Sequence, residues 1–380
     1  MKVFLVAGEK SGDALGGKLI HALRARLGGA LEVAGVGGEA MAREGLISLF
    51  PLEDVAVNGF VAVAARLSKL VARIAQTAQA CAAWKPDVLV IIDAPDFTHR
   101  VARRVRAVAP NIPIVDYVSP SVWAWRPRRA PAMRAYVDRV LALFPFEPAA
   151  HERLGGPPCE FVGHPLVEHL DELRPNATEE GLRAGDPPLV LLMPGSRASE
   201  IARLMPVFGQ ALRRTAMVGR ALDVALPAVP HLENAIREEI RSWPVKPDVV
   251  VGERPKLGVI RRARAALAAS GTATLELALA GVPMVVAYKV SPIEELAKYF
   301  ITVNSIVLPN LILGENVVPE FLQRDCEPKM LARALHTMIE GGPERDRQIA
   351  AFARLPGLLA PAGKTPSQAA ADAVIATATS

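Results

Sequence analysis

Short apolar runs recur along the chain and alternate with segments whose apolar residues have helical spacing. Runs of this length, bounded by glycine, proline or charged residues, are typical of strands that are buried on both faces of a parallel sheet. The pattern predicts a first series of strands at residues 2–7, 31–36, 86–93, 112–118, 139–143 and 160–162. Helices are predicted between these strands, so the first part of the chain is built from βαβ units.

The alternation is interrupted at residues 165–188, a segment rich in proline and charge that we interpret as a linker. A second series of strands follows, at residues 189–193, 223–229, 249–251, 265–269 and 284–287. Beyond Pro309 the chain is predicted to be mainly helical, with a terminal helix at residues 366–379. Two series of this kind predict an α/β protein with two Rossmann-like parallel-sheet domains that face a cleft.

We place the first domain at residues 1–165, the second at 166–345, and terminal helices at 346–380 that pack back on the first domain or on a partner. The length of 380 residues accommodates two domains of ordinary size. Three widely separated cysteines without a CxxC pair exclude a disulfide scaffold and a zinc knuckle, and they suit a reducing compartment. The net charge of +5 permits contact with phosphate or anionic lipid but offers no broad nucleic-acid surface.

Candidate chemistry lies in the loops after the strands, because ligands of open α/β sheets bind at the carboxyl ends of the strands. The strand at residues 265–269 leads into SGTATLE (270–276), which reads as a tight turn and the start of a helix. Free amides and the helix dipole there favour an anion, and Glu276 can accept hydrogen bonds from sugar hydroxyls. An ordinary helix cap followed by a surface acid remains the alternative for this stretch alone.

A second anion-friendly loop follows the strand at residues 189–193. It contains Gly195, Ser196 and Arg197, where glycine allows close backbone approach and arginine can pair with phosphate through two hydrogen bonds. Both anion-friendly loops fall in the second domain. This division predicts a phosphorylated donor in the second domain.

The first domain carries acids at its strand ends instead. Asp93 and Asp96 follow a strongly apolar strand, and Pro95 stiffens the turn between them. Such a carboxylate suits a general base, whereas an N-cap is the alternative, which Asp96 fits better than Asp93. The loop after the first strand adds Glu9, with Ser11, Gly12 and Asp13 close behind in the chain. We therefore predict that a base in the first domain activates a hydroxyl group.

Aromatic and basic residues come together in YVSPSVWAWRPRR (117–129). Interleaved in this way, they can stack on nucleic-acid bases, lie at a lipid headgroup interface, or surround a phosphorylated, acylated sugar. Residues 57–83 form another basic stretch, in which Arg66, Lys69 and Arg73 share one face if the segment is helical. That helix either lies in a membrane interface or packs on the sheet with solvated charges.

The chain resembles the lipid-A-disaccharide synthase family, inverting glycosyltransferases of the GT-B type. The matching segments are VAGEKSGD (6–13), KPDVLVIIDAPDF (85–97), YVSPSVWAW (117–125), FVGHP (161–165), MPGSR (193–197), SGTATLE (270–276), MVVAYK (284–289) and LPN (308–310). They occur in order through most of the chain. Only the part containing SGT, the glutamate and GVP recurs elsewhere in the GT-B class.

The resemblance implies a reaction in which UDP-2,3-diacylglucosamine and 2,3-diacylglucosamine 1-phosphate give the β-1,6-linked lipid A disaccharide 1-phosphate and UDP. It implies that Asp93 deprotonates the 6-hydroxyl of the acceptor, and that Arg197 and Asn310 act in the donor site. It further implies that Glu276 holds the ribose and that residues 270–274 hold the pyrophosphate. No metal or other cofactor is implied.

The resemblance also implies attachment to the anionic inner face of the cytoplasmic membrane, because both substrates are acylated. A homodimer is a further expectation, and a nucleic-acid partner is not expected.

The candidate residues form three groups. The candidate catalytic residue is Asp93. The candidate UDP-binding residues are Gly195, Ser196, Arg197, Ser270, Gly271, Thr272, Thr274, Glu276 and Asn310. The candidate acceptor residues are Glu9, Ser11, Gly12, Asp13, Asp96, Ser119, Ser121, Trp123 and Trp125.

Two alternatives remain open at this point. One keeps the fold and changes the chemistry, to a UDP-sugar epimerase or another GT-B transferase. The other is a non-catalytic, membrane-associated binder of nucleotide sugars, in which Asp93 would be dispensable. A test of Asp93→Asn for turnover and for nucleotide binding separates these alternatives.

Overall fold

A computed structural model describes residues 1–55, 60–217, 221–291 and 303–379, with the side chains of residues 60–67 left aside. Its contacts divide the chain into two compact units, residues 1–168 with 359–380, and residues 169–358. The predicted boundary at 165/166 lies close to the one in the structure, at 168/169. The predicted boundary at 345/346 lies further from it, because residues 346–358 belong to the second unit.

The first unit contains one parallel sheet with helical crossovers. Its strands are β1 (Lys2–Ala7), β2 (Glu32–Val36), β3 (Val88–Ile92), β4 (Ile114–Tyr117), β5 (Arg139–Ala142) and β6 (Cys159–Phe161). The helices between them are α1 (Lys10–Leu27), α2 (Glu39–Arg43), α3 (Phe60–Trp84), α4 (Thr98–Val108), α5 (Arg129–Met133) and α6 (Glu147–Leu154). The strand order is β2-β1-β3-β4-β5-β6. All five residues of β3 are buried, as expected for a central strand that is covered by helices on both faces.

The second unit repeats this architecture. Its strands are β7 (Leu189–Met193), β8 (Asp223–Ala228), β9 (Asp248–Val251), β10 (Ala265–Ala269), β11 (Met284–Tyr288) and β12 (Glu320–Leu322). Its helices are α7 (Leu170–Leu173), α8 (Ala177–Ala184), α9 (Ala198–Ala216), α10 (Glu233–Glu239), α11 (Glu253–Arg262), α12 (Thr272–Leu279), α13 (Leu308–Leu313), α14 (Pro328–Glu340), α15 (Pro343–Phe352) and α16 (Leu355–Leu359). The strand order is β12-β11-β10-β7-β8-β9, and every pair is parallel.

The strand order reverses once in each sheet, and this reversal positions the sites described below. In the first unit β1 lies between β2 and β3, and Ala7 at its carboxyl end pairs with Ile92. In the second unit β7 lies between β8 and β10, and Met193 pairs with Ala268. Connections leave such neighbouring strands towards opposite faces of the sheet, so a crevice opens beyond their carboxyl ends.

The terminal helix α17 (Pro366–Ala378) packs against α1 in the first unit. Its buried alanines and Val374 join the core formed by α1 and the sheet. At the surface, Arg26 Nε donates to Asp372 Oδ1 at 2.9 Å. The small side chains of α17 allow this close approach of the two helices.

The predicted fold class is confirmed in both units, and the strand predictions agree closely with the structure. The interpretation of residues 165–188 as a linker is wrong, because this segment contains α7 and α8. A capping box formed by Asn176 and Glu179 begins α8, and the guanidinium of Arg183 donates to the carbonyl of Ala280 at 3.1 Å. Strand β12 was missed, since its three residues give no periodic signal.

Candidate functional site

A cavity of about 610 Å³ lies in the second unit, beyond the carboxyl ends of β7 and β10 where the strand order reverses. We call it the β7/β10 cavity. Of the nine residues predicted to bind UDP, it brings together seven: Gly195, Ser196, Arg197, Ser270, Gly271, Thr272 and Glu276. The end of β8 and the residues after it, Pro227 to Pro230, also line the cavity, as do Gly252 and the first turn of α11 with Glu253 and Lys256.

Glu276 lies one turn into α12, and its carboxylate binds a lysine that sequence reasoning missed. Lys256 Nζ donates to Glu276 Oε1 at 2.9 Å and lies 2.7 Å from Oε2. Burial alone would lower the pKa of Lys256, but Glu276 and, less strongly, Glu253 more than offset it, so that the pKa is raised. Lys256 is therefore a cation at neutral pH, and it fixes the orientation of the carboxylate. Including the residues that follow β9 in the sequence analysis would have identified Lys256 as a candidate.

The loop of Gly195, Ser196 and Arg197 is held by a buried acid of the following helix. Glu200 Oε2 accepts hydrogen bonds from the backbone N–H of Ser196 at 3.1 Å and of Arg197 at 3.3 Å. Gly195 has a φ of +112°, and a Cβ at this position would collide with the Glu200 carboxylate. These two amides are therefore engaged by Glu200. The Arg197 side chain, which is 75% exposed, contacts Glu200 Oε1 at 2.8 Å and still presents its guanidinium to the cavity.

The SGT turn connects β10 to the first turn of α12. Gly271 has a φ of +155° and no atom within 4 Å of an added Cβ, so the backbone is open to the cavity. Ser270 Oγ donates to the carbonyl of Ile306 at 2.6 Å, which fixes the turn. Thr274 is fully buried and donates to the carbonyl of Gly271 at 2.7 Å. Thr274 therefore supports the turn and does not line the cavity.

Asn310 is also outside the lining of the cavity. It is buried, and its amide makes four hydrogen bonds within the unit. The amide nitrogen donates to the carbonyl of Val318 and to Glu320 Oε1. The amide oxygen accepts from the N–H groups of Val317 and Val318. Because an asparagine amide offers two donors and two acceptor sites, its capacity is filled. Glu320 Oε2 in turn accepts from the N–H of Ile306, the residue whose carbonyl binds Ser270. Asn310 is thus linked to the SGT turn through Glu320 and Ile306.

In the first unit, Asp93 lies at the point where the strand order reverses, directly after β3. Asp93 and Ala94 have φ values of +53° and +45°, a backbone conformation that non-glycine residues rarely adopt. Strain of this kind concentrates at functional sites. Asp93 Oδ1 accepts from the N–H of Ala94 at 2.8 Å, and Oδ2 accepts from Ser11 Oγ at 3.1 Å. Asp93 is only partly buried, so its carboxylate remains reachable.

Two glycines bring the N-terminus of α1 close to the end of β3. A Cβ on Gly8 would lie 2.5 Å from the Cβ of Ala94, and one on Gly12 would lie 3.0 Å from the carbonyl oxygen of Ile92. The predicted residues Ser11 and Gly12 are therefore brought together with Asp93. Glu9 is exposed immediately before α1.

Asp13 is a structural cap. It is 6% exposed, and its two carboxylate oxygens accept hydrogen bonds from the N–H groups of Gly38 at 2.7 Å, Ala40 at 2.9 Å and Met41 at 3.1 Å. These donors belong to the first turn of α2, so the carboxylate caps this helix from α1. Asp13 also lies at the edge of a second cavity of about 840 Å³, which Lys10, Glu39 and other residues line.

Asp96 does not cap α4. The N-cap position is Phe97, without a side-chain hydrogen bond, and Thr98 Oγ1 donates to the carbonyl of Asp93 at 2.6 Å. The Asp96 side chain is 88% exposed and lies 3.9 Å from Arg129. The alternative that made Asp96 an N-cap is therefore wrong.

The loop after β4 has a buried and an exposed part. Ser119 is buried, and its Oγ lies 2.8 Å from Nε2 of His151, whereas Ser121 is exposed. Trp123 Nε1 donates to Glu147 Oε1 at 3.0 Å. Trp125 is 44% exposed.

Glu147 and His151 are residues of α6 that sequence reasoning missed. Burial raises the pKa of Glu147 to about 7, although Phe144 N–H and the Trp123 indole partly oppose this by hydrogen bonding. Burial likewise lowers the pKa of His151, with Asp116 acting in the opposite direction. The loop that carries Ser119 and Trp123 is thus anchored on two buried titratable groups. Only the contacts between elements reveal them.

Within the described ranges, no group of three or more His, Cys, Asp or Glu side chains is arranged to hold a metal ion. No helix formed by these residues is long and apolar enough to cross a membrane.

Solved structures that share this fold show the fold class of the protein. A UDP-GlcNAc 2-epimerase from Neisseria meningitidis, solved bound to UDP-GlcNAc, superposes with a TM-score of 0.65 at 12% identity, covering 99% of each chain. MurG from Acinetobacter baumannii superposes with a TM-score of 0.59 at 14% identity, also covering 99% of each chain. The two parallel six-stranded sheets are those of the GT-B class.

Sequence comparison then identifies the family. Residues 3–360 match the family model described as lipid-A-disaccharide synthetase. The lipid-A-disaccharide synthase of Bradyrhizobium diazoefficiens is 55% identical, over 99% of this chain and 96% of its own length. That of Nitrobacter hamburgensis is 54% identical, over 99% and 95%. The chain belongs to the lipid-A-disaccharide synthase family, and the predicted enzyme class, a hexosyltransferase of lipid A biosynthesis, is confirmed.

Proposed function

We propose that the chain transfers the glucosaminyl group of UDP-2,3-diacylglucosamine to the 6-hydroxyl of 2,3-diacylglucosamine 1-phosphate. The full-length match to the family carries this proposal. The β7/β10 cavity supports it, because amides, a guanidinium and a carboxylate converge there at the kind of strand reversal where nucleotides bind.

The donor is assigned to the β7/β10 cavity. The diphosphate lies against the SGT turn and the first turn of α12, where the N–H groups and helix dipole favour negative charge. Arg197 neutralises the charge that develops on the departing UDP, since its guanidinium is exposed at the same cavity. Gly195 and Ser196 shape the loop beneath it, with their positions set by Glu200.

The nucleoside is held by Glu276. Lys256 occupies one side of its carboxylate, and the remaining lone pairs accept hydrogen bonds from the two ribose hydroxyls. Thr274 and Asn310 act indirectly, by holding the SGT turn in place.

Asp93 is assigned as the general base. Its carboxylate removes the proton from the acceptor 6-hydroxyl as that oxygen attacks C1 of the donor sugar. The bond between C1 and the diphosphate oxygen breaks, UDP leaves, and the configuration at C1 inverts. The hydrogen bond from Ser11 and the strained backbone of residues 93 and 94 fix the carboxylate for this step.

The acceptor is assigned to the first unit. Ser11 and Gly12 lie beside Asp93, and the loop that carries Ser119, Ser121, Trp123 and Trp125 follows the neighbouring strand β4. Both substrates are acylated, so we place the enzyme in the cytoplasm, at the inner face of the cytoplasmic membrane. The homodimer remains a prediction.

The test is an assay of UDP release from purified protein. We expect release with UDP-2,3-diacylglucosamine and 2,3-diacylglucosamine 1-phosphate together, and none when UDP-N-acetylglucosamine replaces the donor. Mass spectrometry of the product distinguishes disaccharide formation from hydrolysis of the donor. Release that does not need the acceptor, or conversion of UDP-N-acetylglucosamine to its epimer, would contradict the proposal.

A further inference from the structure

We propose that Arg183 is a positioning residue, which holds α11 and α12 at the spacing at which Lys256 pairs with Glu276. Arg183 lies in α8, outside the lining of the β7/β10 cavity, so it acts on that cavity only through the two helices. The consequence for nucleotide binding rests on the proposed function, in which Glu276 holds the ribose.

The guanidinium of Arg183 binds the ends of both helices. Nε donates to the carbonyl of Arg261 at 3.2 Å and Nη2 to that of Ile260 at 3.4 Å, both in the last turn of α11. Nη2 also donates to the carbonyl of Ala280 at 3.1 Å, and Nη1 to that of Gly281 at 3.3 Å, directly after α12. We call this set of four hydrogen bonds the Arg183 bridge.

An arginine is well suited to this position. Carbonyls at the C-terminal end of a helix have no partner within the helix, and the helix dipole makes this end negative. A guanidinium carries a positive charge and presents five N–H donors in a rigid, planar fork. It can therefore satisfy carbonyls of two helices at once and fix their relative position. A lysine ammonium is a point charge on a flexible stem and fixes such a position less well.

The bridge lies one helical turn from each of the paired side chains. Lys256 precedes Ile260 by four residues, and Glu276 precedes Ala280 by four residues, which is about 6 Å along a helix axis. The N–H of Ala280 donates to the carbonyl of Glu276 at 3.0 Å, so the bridged residue is bonded directly to the cavity residue. A shift of either helix end is therefore passed to Lys256 or Glu276 within one turn.

The segment before Arg183 provides a fixed base for the bridge. Arg261 Nε donates to Glu179 Oε1 at 2.7 Å, and Arg261 Nη1 donates to the carbonyl of Glu172 at 2.8 Å. The other carboxylate oxygen of Glu179 accepts from the N–H of Asn176 at 3.0 Å, within the capping box of α8. The start of α8 is thus tied to the end of α11, and this fixes the helix that carries Arg183.

Arg345 is a matched residue at the end of a different helix. It is buried in the same unit, and its Nη1 donates to the carbonyls of Met338 at 2.6 Å and Ile339 at 3.4 Å, in the last turn of α14. Loss of either arginine leaves helix-end carbonyls unpaired, so Arg183→Met and Arg345→Met should both destabilise the unit. Only Arg183→Met should change the pairing of Lys256 with Glu276.

The first measurement needs no nucleotide. The purified full chain is treated with a limiting amount of acetic anhydride, and mass spectrometry gives the acetylation rate of Lys256 relative to the exposed Lys246. An ammonium that is paired with a carboxylate is protonated and reacts slowly. We expect Arg183→Met to raise the relative rate at least about five-fold, because the free-amine fraction grows when the carboxylate moves away. Arg345→Met should stay within about two-fold of wild type.

The second measurement compares the binding of UDP and 2′-deoxy-UDP by titration calorimetry. Wild type should prefer UDP about ten-fold, since Glu276 is assigned to the ribose hydroxyls. Arg183→Met should reduce this preference to about two-fold, because the carboxylate is no longer held in place. A loss of folded protein lowers the binding of both nucleotides alike, so Arg345→Met should keep the preference of wild type.

An unchanged Lys256 rate in Arg183→Met, or an equal rise in Arg345→Met, would overturn the proposal. Arg183→Lys carries the same expectation and is used if Arg183→Met does not fold, because it keeps the charge but not the planar fork. A full preference for UDP in Arg183→Met would overturn the role in nucleotide binding.

Failure of the proposed function gives a different result. In that case wild type does not bind UDP, or binds it no better than 2′-deoxy-UDP. If the Lys256 rate still rises in Arg183→Met alone, the assignment of the nucleotide is wrong and the Arg183 bridge stands.

Discussion

The ammonium group of Lys256 donates to Oε1 of Glu276 at 2.9 Å and lies 2.7 Å from Oε2, so a cation is paired with the carboxylate assigned to the ribose. The two side chains come from different helices, α11 and α12, and 22% and 18% of their surfaces are exposed. A carboxylate fixed in this way is preorganised, since it need not be reoriented when the nucleotide binds.

Lys256→Met is expected to weaken UDP binding about ten-fold, because Glu276 loses the cation that orients it. Titration calorimetry with UDP on Lys256→Met, Glu276→Gln and the double variant measures the coupling of the pair. We expect the two losses not to add, with an interaction energy of about 1–3 kcal/mol. Lys246→Met, at an exposed lysine, is the control and should bind UDP like wild type. Strictly additive losses would show that Lys256 acts independently of Glu276.

Asn310→Ala is expected to destabilise the second unit and, through it, the SGT turn. The substitution removes four hydrogen bonds and leaves the buried N–H of Val318 without its acceptor, whereas the N–H of Val317 keeps the carbonyl of Glu315 at 3.1 Å. An unsatisfied buried donor costs about 1–3 kcal/mol. Urea denaturation measures this loss, and UDP titration measures the accompanying weaker binding.

Glu320→Gln is the matched variant for Asn310→Ala, because it disturbs the same network one step closer to Ser270. It should reproduce both effects. A loss of UDP affinity in Asn310→Ala without any loss of stability would instead indicate direct contact between Asn310 and the nucleotide.

The stability of the chain should depend on pH through Glu147. Burial raises its pKa to about 7, whereas the ordinary pKa of a glutamate is 4.5. Between these values the folded chain keeps a proton that the unfolded chain has lost, so the free energy of unfolding falls as pH rises through this window. The contribution of this carboxyl amounts to roughly 3 kcal/mol at most.

Glu147→Gln removes this contribution, since the amide does not titrate. Urea denaturation at several values between pH 5 and pH 8 should show wild type losing stability relative to Glu147→Gln as pH rises. Glu152→Gln, an exposed position on the same helix α6, should follow wild type. Parallel pH profiles for wild type and Glu147→Gln would refute the assignment.

The strands and the loops that follow them were predictable, because buried parallel strands are continuous apolar runs and their ends have a distinct composition. Val88 to Ile92 and the SGT turn are examples. The residues that hold these loops were not predictable. Lys256 lies twenty residues before Glu276, and only the packing of α11 beside α12 brings the two side chains together. Glu200 is close in sequence to the amides that it binds, but residue type alone does not show that its carboxylate folds back on them.

For Asp13 and Asn310, the sequence suggested polar groups that are free to bind a ligand, whereas the structure shows groups that are already hydrogen-bonded. A carboxylate beside a strand-end loop and an amide in a motif both suit a ligand by residue type. The carboxylate is nevertheless bound by nearby backbone, and the amide by backbone and by Glu320. Which polar groups remain free depends on distances within the folded chain. The alternation of apolar and polar residues carries no such information.

The central claim, that Asp93 is the base, is tested most directly by Asp93→Asn with two measurements on the same preparation. The amide keeps the size of the carboxylate but cannot take the proton, so we expect the rate of disaccharide formation to fall about 10²–10⁴-fold. UDP binding, which is assigned to the second unit, should stay within about two-fold of wild type. Asp96→Asn, at the exposed aspartate of the same turn, should retain the wild-type rate. An Asp93→Asn variant that forms the disaccharide at the wild-type rate would contradict the account.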